Sequence, residues 1–515
     1  MKPLSWLLFS ATLAVLSLPT TAAEPPPNLI FILADDLGYG DVQCLNPAGK
    51  IPTPNLDRMA RAGMTFKDGH SSSSVCTPTR YGLMTGRYNW RSRLKAGVLG
   101  GFSPRLIEDG RLTVAQMLKD RGYSTACIGK WHLGMDFPLR TGGFANGYPD
   151  AQNVDWSKPI ENGPVAVGFH EYFGISASLD MPPWVYLENQ KATVVPDHEA
   201  DLWKGRRGPA VTGWSMEEVL PEFTKRAVDY VTRAAKAGKP FFLYMPLNAP
   251  HTPIAPSKAW KGKSGISDYA DFVMETDWSV GQVLDALEKA GVSKNTAVFL
   301  SSDNGCSPAA NFEQLAGHGH NPSAQFRGTK ADIFDGGHRV PFLVSWPARV
   351  PAGSSYEHPV CLVDFMATAA EMAGVSLPEN AGEDSASLLP ALTAATRSPI
   401  HEAVVHHSVN GSFAIRQGQW KLELCASSGG WSQPKPGSKE AADLPALQLY
   451  DMTTDVGETR NVAEQHPEVV EKLKALLQKF VADGRSTPGA TQPNTGEVKT
   501  SDPGRSPSPE KRIKP

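Results

Sequence analysis

The chain has 515 residues, 41% hydrophobic and 20% charged, with a formal net charge of −3. That length can bury a large core in more than one domain, and the composition is that of a globular protein. The near-neutral balance gives no reason to expect a nucleic acid or an acidic membrane as partner, so any positive field for an anionic substrate has to be local.

The N-terminus carries one Lys, an apolar run from Leu4 to Leu18 and then small residues. The run is short for a membrane span, and Thr21 and Ala23 suit a signal-peptidase site. Residues 1–23 therefore read as a cleavable signal peptide. The mature chain is expected to be secreted or periplasmic, without stable membrane insertion. NLIFILADD (28–36) is the first of four continuous apolar stretches; the others are YSTACIGKWH (123–132), PFFLYMPLNAPH (240–251) and TAVFLSSDNG (296–305). Runs of Val, Ile, Leu and Phe without alternation predict strands covered on both faces, as in a mostly parallel sheet.

Helical patterns alternate with them. TPNLDRMARAG has Thr53 as N-cap and Pro54 at the first position, and TVAQMLKDRG has Thr113 and Gln116 as a capping box. Longer amphipathic stretches follow at SMEEVLPEFTKRAVDYVTRAAKAG and DYADFVMETDWSVGQVLDALEKAG. The fold class this predicts is α/β, a mostly parallel central sheet sandwiched by helices. Near residue 395 the pattern changes to short strands around an Asn410-Gly411 turn, then LQLYDM and a terminal amphipathic helix. The expected domains are 24–395, the catalytic unit, and 396–484, a smaller antiparallel sheet plus helix. Residues 485–515, rich in Pro, Ser, Thr and Gly, read as a disordered tail.

Each of the four apolar strands ends in ionisable or polar residues: Asp35-Asp36, Lys130 with His132, His251, and Asp303-Asn304. In an open parallel sheet, ligands bind beyond the carboxyl ends of the strands, so four distant segments can make one site. Asp35, Asp36, Asp303 and Asn304 offer only oxygen, which suits Ca2+ or Mg2+, although an Asp-Asp pair after a strand also reads as a turn or helix cap. The histidine pairs His318/His320 and His406/His407 read as surface or loop residues rather than ligands. Lys130, His132, His251 and Arg80 can hold a tetrahedral oxyanion, or be solvated or packed side chains.

The six cysteines, at 44, 76, 127, 306, 361 and 425, have no CxxC spacing, and no bridge is assigned. Cys76 stands in SSSSVCTPTR, just ahead of a helix whose first turn holds Pro78. The free amides there favour an anion, and Arg80 follows one turn on. Hard Ca2+ is a poor partner for sulfur, so the site calls for an oxygen at this position.

The pattern C-x-P-x-R, Cys76 to Arg80, resembles the signature of the type I sulfatases of the alkaline phosphatase superfamily. LMTGR, GKWHLG (129–134), FRGTKADIFDGGHRVPFLVSWP (326–347) and LYDMTTDVGETRNVA (449–463) are similar to that family as well, so the resemblance runs over about residues 28 to 480. It implies that Cys76 is oxidised to formylglycine by a separate maturing enzyme. It further implies that Asp35, Asp36, Asp303 and Asn304 hold Ca2+ with residue 76, and that Arg80 stabilises the formylglycine hydrate. Lys130, His132, His251 and Lys330 would bind sulfate and move protons, with Ser178 as a further contact. The implied reaction is attack of a hydrate oxygen on sulfur, followed by loss of the second hydroxyl proton, release of sulfate and return of the aldehyde. Sulfated carbohydrates are the leading substrate class. Alternatives are a phosphonate monoester or phosphodiester hydrolase of the same superfamily, or a non-catalytic anion-binding protein if Cys76 stays unconverted. Arg91, Arg93, Trp184, His318 and His320 are candidates for an outer pocket.

Overall fold

A computed structural model describes residues 25–504, so the signal-peptide segment 1–23 and the end of the chain from 505 lie outside the described residues. A ten-stranded sheet runs through the main body. Its strands are β1 Asn28–Ala34, β2 Met64–Phe66, β3 Ser124–Lys130, β4 Glu171–Ile175, β5 Leu187–Glu188, β6 Lys191–Ala192, β7 Phe241–Pro246, β8 Thr296–Ser302, β9 Phe342–Ser345 and β10 Ser354–Tyr356. Across the sheet the order is β10-β2-β9-β8-β1-β7-β3-β4-β5-β6. The inner strands β8, β1, β7, β3 and β4 are parallel neighbours, and antiparallel pairings appear only toward the margins. All four apolar stretches lie in this parallel core, which is why they read as unbroken hydrophobic runs.

Strand pleating sends alternate residues of β1 into two different cores. Leu29, Phe31 and Leu33 join Leu118 of α3 (Val114–Asp120) and Phe365 of α6 (Phe365–Met372) on one face. Ile30 and Ile32 join Leu56 of α1 (Pro54–Ala62), Phe223 of α4 (Val219–Lys236) and Phe272 of α5 (Asp268–Lys289) on the other. Each such buried side chain contributes roughly 1.5–3 kcal/mol. The sheet is therefore a sandwich filling with no solvated face. Thr113 caps α3 as expected, its hydroxyl accepting from the Gln116 amide at 3.1 Å. Thr53 precedes α1 but spends its hydroxyl on the Gln43 amide instead.

The C-terminal unit is a four-stranded antiparallel sheet of β11 Val404–His407, β12 Phe413–Gln417, β13 Trp420–Glu423 and β14 Gln448–Asp451. The helix α7, Pro467–Asp483, lays Leu473, Leu477 and Phe480 on it, in a core shared with Tyr88 and Trp90 of the body.

Residues 485–504 differ from the disordered tail that their composition predicts. They run along the body, where the Thr495 amide donates to the Arg91 carbonyl at 2.7 Å and Arg87 donates to the Pro493 carbonyl at 2.8 Å. The stretch is poor in apolar side chains and is held by its backbone and by polar side chains such as Arg485 and Asn494, a signal that composition does not carry. Among the described residues no helix is long and apolar enough to cross a membrane, and all six cysteines are unbridged.

Candidate active site

Because β8, β1, β7 and β3 are parallel neighbours, their carboxyl ends lie side by side. Asp35 and Asp36 leave β1, Asp303 and Asn304 leave β8, Lys130 is the last residue of β3, and His251 follows β7 by five residues. Asp36 and His132 both take left-handed backbone, with φ of 67° and 57°. Side chains other than glycine avoid that region, and such residues concentrate where the surroundings force a functional geometry. Gly129 has no such latitude to change: a Cβ there would lie 1.8 Å from the Pro246 carbonyl oxygen, so β3 and β7 approach closely just before their site residues.

Cys76 is the first residue of α2, Cys76–Thr85, so the helix begins one residue earlier than the sequence pattern, which put Cys76 just ahead of it, predicts. The serines before it explain themselves. Ser73 donates to the His407 carbonyl at 2.8 Å, Thr79 donates to the Ser73 carbonyl at 2.9 Å, and the Ser74 carbonyl accepts from the Ala331 amide at 2.8 Å. This polar run sews the start of α2 to the C-terminal sheet and to the loop carrying Lys330. That loop is fixed in turn by the Lys330 amide on the Cys306 carbonyl at 2.9 Å.

The side chains interlock. Arg80 donates through Nε and Nη2 to Asp303 Oδ2 at 3.0 and 2.8 Å, and through Nη1 to the Lys130 carbonyl at 2.8 Å. Lys130 Nζ lies 2.6 Å from Asp35 Oδ2, and Lys330 Nζ 2.5 Å from Asp36 Oδ1. Asn304 Nδ2 donates to that same Asp36 oxygen at 2.7 Å, and His251 Nε2 stands 3.8 Å from Asp36 Oδ2. Cys76, Asp35 and Asp303 each bring a ligand atom within 4.8 Å of the others, as do Asp35, Asp36 and His251.

Three oxygens in this cluster, Asp35 Oδ1, Asp36 Oδ2 and Asn304 Oδ1, are buried without a hydrogen-bond partner. Leaving one buried acceptor unsatisfied costs about 1–3 kcal/mol, so three together point to a missing common partner. All three are hard oxygen donors, and they fit a cation of the Ca2+ or Mg2+ type. The electrostatics agree. Burial opposes the charge on Asp35, yet Lys130, His251, Arg80 and Lys330 outweigh it and hold that carboxyl well below the usual range. Burial and the neighbouring Asp35 push Asp303 upward, a repulsion that a bound cation would relieve.

Burial also pushes the Cys76 thiol up, against the pull of Lys130 and Lys330, so no thiolate is prepared here. His132 Nε2 lies 2.7 Å from the Leu99 carbonyl, and its Nδ1 is buried without a partner. A carbonyl only accepts, so Nε2 carries the proton and Nδ1 presents a bare lone pair. Burial, then Lys130 and Arg80, hold the ring neutral by lowering its pKa well below the ordinary value.

Every principal residue singled out from the sequence thus lies in one cluster or on its edge. Ser178 sits on the loop beyond β4 with a buried, unpartnered hydroxyl, and no direct bond ties it to the others. The outer-pocket expectations fare differently. Arg91 is buried, pairs through two nitrogens with Asp384 at 2.8 Å and stacks on Trp90, so it is a structural brace. Trp184 is buried with its indole N–H on the Leu179 carbonyl, and His320 is buried against Asp41. Only Arg93 and His318 of the five are exposed. His406 and His407, expected as surface or loop residues, lie buried in β11. The Leu99 carbonyl that fixes the His132 tautomer was not readable, because a backbone acceptor 33 residues away has no side-chain signature.

Comparison with known proteins gives a consistent picture. The family described as Sulfatase matches residues 27–375. The chain is 32% identical to the N-acetylgalactosamine-6-O-sulfatase of Bacteroides thetaiotaomicron, over 88% of this chain and 92% of that one. It is 32% identical to human arylsulfatase A over 92% of each, and 30% identical to mouse steryl-sulfatase over 96% of this chain and 89% of that one. A solved Bacteroides thetaiotaomicron structure connected with metabolism of multiple glycosaminoglycans superposes with a TM-score of 0.77 at 31% identity. It covers 88% of this chain and 99% of that one.

Proposed function

The chain belongs to the sulfatase family and is a sulfuric ester hydrolase; from that premise we propose that it is exported and removes sulfate from carbohydrate esters through a formylglycine made from Cys76. The observation that carries this reading is the state of Cys76. Its thiol is buried and held in the protonated form within 4.8 Å of ligand oxygens of Asp35 and Asp303, a poor nucleophile in a site built for oxygen.

Converted by a formylglycine-generating enzyme, residue 76 supplies a geminal diol. One of its oxygens is a nucleophile toward sulfur, and its second hydroxyl permits release of sulfate and return of the aldehyde. Asp35, Asp36, Asp303 and Asn304 would hold a divalent cation, Ca2+ or Mg2+, which would supply Lewis-acid charge to the site. The remaining work falls to this chain's own side chains. Lys130 and Lys330 present ammonium groups to the sulfate, held in place by Asp35 and Asp36. Arg80 fixes Asp303 and the Lys130 carbonyl, and so sets the spacing between β8 and β3 at their reactive ends.

His132, with Nε2–H pinned by Leu99, offers its bare Nδ1 as the base for the second hydroxyl. His251 directs its Nδ1–H to the Thr252 carbonyl at 2.5 Å, which leaves Nε2 turned toward the cluster. It and Lys330 are the candidates to protonate the leaving alcohol. Ser178, with an unsatisfied hydroxyl on the neighbouring loop, is an additional contact for the sulfate or the hydrate.

The substrate class rests on the relative that acts as an N-acetylgalactosamine-6-O-sulfatase, matched along nearly its whole length. The test is to express the chain with a formylglycine-generating enzyme and weigh the peptide carrying residue 76. Sulfate release from 6-O-sulfated N-acetylgalactosamine is then measured beside an aryl sulfate and a matched phosphodiester. Aldehyde formation with sulfate release from the sugar supports the proposal. Faster phosphodiester cleavage would favour the diesterase reading, and unmodified cysteine beside a converted control protein would overturn the mechanism.

A further inference from the structure

Two buried polar networks lie outside the residues given a role so far. One brings His70, His338 and His406 together where the C-terminal sheet meets the main body, with Lys421 bonded to His338 at 3.3 Å, Asp335 at 2.9 Å and Glu458 at 2.5 Å. The other touches Asp36. Asp41 ends the single helical turn Tyr39–Asp41, Tyr269 is the second residue of α5, and His320 follows the short helix Phe312–Gly317. All three are buried.

Asp41 Oδ2 accepts from the Gly38 amide at 2.8 Å and from the Tyr269 hydroxyl at 2.5 Å, and Oδ1 accepts from His320 Nε2 at 2.8 Å. The Lys50 amide donates to His320 Nδ1 at 3.1 Å, so the ring proton is on Nε2. Both carboxylate oxygens, both ring nitrogens and the phenol are therefore engaged, and none is free to receive a substrate. Tyr269 reaches further. Its oxygen stands 3.4 Å from the Asp36 carbonyl oxygen and accepts from the Cys306 thiol at 3.1 Å. The Cys306 carbonyl holds the Lys330 amide at 2.9 Å. One phenol thus contacts the strand end that bears Asp36 and the residue that anchors Lys330.

Asp36 needs such support. Its left-handed backbone, φ 67°, is one that an aspartate keeps only where the surroundings impose it. The Leu37 amide is tied to Ser302 Oγ at 2.9 Å, and the next turn is closed by Asp41, itself clamped from α5 and from the loop after β8. On the cation-binding reading given above, we propose that Asp41, Tyr269 and His320 are positioning residues for that cation. They hold Asp36 so that its free Oδ2 meets the free oxygens of Asp35 and Asn304, and thereby set the affinity of the site. None of the three touches substrate or ion; they act through the backbone of Asp36.

The test uses the full chain with Cys76 unconverted, stripped with a chelator and titrated with Ca2+ in a calorimeter, so neither the aldehyde nor a substrate is needed. Tyr269→Phe keeps the ring and removes the hydroxyl. Tyr230→Phe is the control: that buried phenol donates to the Ser124 carbonyl at 2.8 Å, at the opposite end of β3 from Lys130. We expect the Kd for Ca2+ to rise about tenfold in Tyr269→Phe and in His320→Ala, and to stay within about twofold of the parent in Tyr230→Phe. In the converted enzyme, the Ca2+ concentration for half-maximal sulfate release is expected to rise by the same factor. A Kd within about twofold of the parent in both Tyr269→Phe and His320→Ala would overturn the positioning role and leave the cation reading intact. So would equal weakening in Tyr230→Phe, the mark of a generally loosened fold. A parent that takes up no Ca2+ would overturn the cation reading and this role with it.

Discussion

The cluster around Cys76 and the one around His338 are both fully buried and rich in ionisable groups, but they lie in different places. Around Cys76 the cations are bonded and the leftovers are three oxygens, Asp35 Oδ1, Asp36 Oδ2 and Asn304 Oδ1, with the Nδ1 of His132 at the edge. Around His338 the leftovers are both nitrogens of His406 and both carboxylate oxygens of Glu423, while Lys421 is surrounded by Asp335, Glu423 and Glu458. Both clusters thus leave oxygen and imidazole nitrogen atoms over, and their places in the fold distinguish them better than the kind of atom does. The first lies at the carboxyl ends of four neighbouring parallel strands in the middle of the large sheet. The second lies between the main body and the C-terminal sheet.

The largest expected effect tests the first half of that contrast. Cys76→Ser, expressed with the maturing enzyme, is expected to lose more than about 10³-fold in kcat, since a serine ester has no second hydroxyl to expel sulfate. Turnover within tenfold of the parent would mean that the oxygen chemistry does not depend on the aldehyde. Next come matched cation deletions. Lys421→Met strands buried carboxylates and is expected to cost about 3–5 kcal/mol in urea unfolding, with or without Ca2+. Lys130→Met strands Asp35 at a comparable cost without Ca2+, but Ca2+ is expected to recover part of it, because the freed oxygens belong to the cation-binding set. Equal Ca2+ responses in the two variants would erase the distinction between the clusters.

The two clusters were also unequally legible. Strand ends after β1, β3, β7 and β8 could be found because an unbroken apolar run followed by Asp, Lys or His violates the local pattern at a place where parallel sheets bind ligands. Their convergence follows from adjacency in the sheet. The histidine cluster gave no such sign. His70 and His338 sit in two- and four-residue elements with no periodicity, and His406 precedes another His in a short edge-like strand. Backbone pairing within the body brings His70 to His338, and the packing of β11 adds His406, both long-range contacts that spacing cannot show. Arg91 failed for a related reason: a lone arginine near a site motif looks like a substrate contact until its buried partner Asp384, 293 residues away, is seen.

Cation addition to the parent protein gives a smaller effect. Ca2+ at a hundredfold over its Kd is expected to stabilise the fold by about 2.7 kcal/mol, and Asp36→Asn to reduce that gain. The same titration on His406→Ala is expected to be unchanged, since nitrogen donors hold Ca2+ poorly.

The smallest effect concerns protons. His132 is buried between Lys130 and Arg80, and its folded pKa lies well below that of a free imidazole. In the unfolded chain it titrates near 6.5, so above that pH it is neutral in both states and adds no pH dependence. Below it, the unfolded chain takes up a proton that the folded chain refuses, and stability falls with falling pH by at most about 1.4 kcal/mol per unit. His132→Gln removes this contribution whatever its own cost in packing, so the slope of stability against pH below about 6.5 is expected to be shallower in the variant. Urea unfolding of both proteins across that range measures it. Coincident slopes would mean that His132 accepts a proton in the folded state. The lone pair assigned to Nδ1 would then not be available as a base in a site already crowded with Arg80, Lys130 and Lys330.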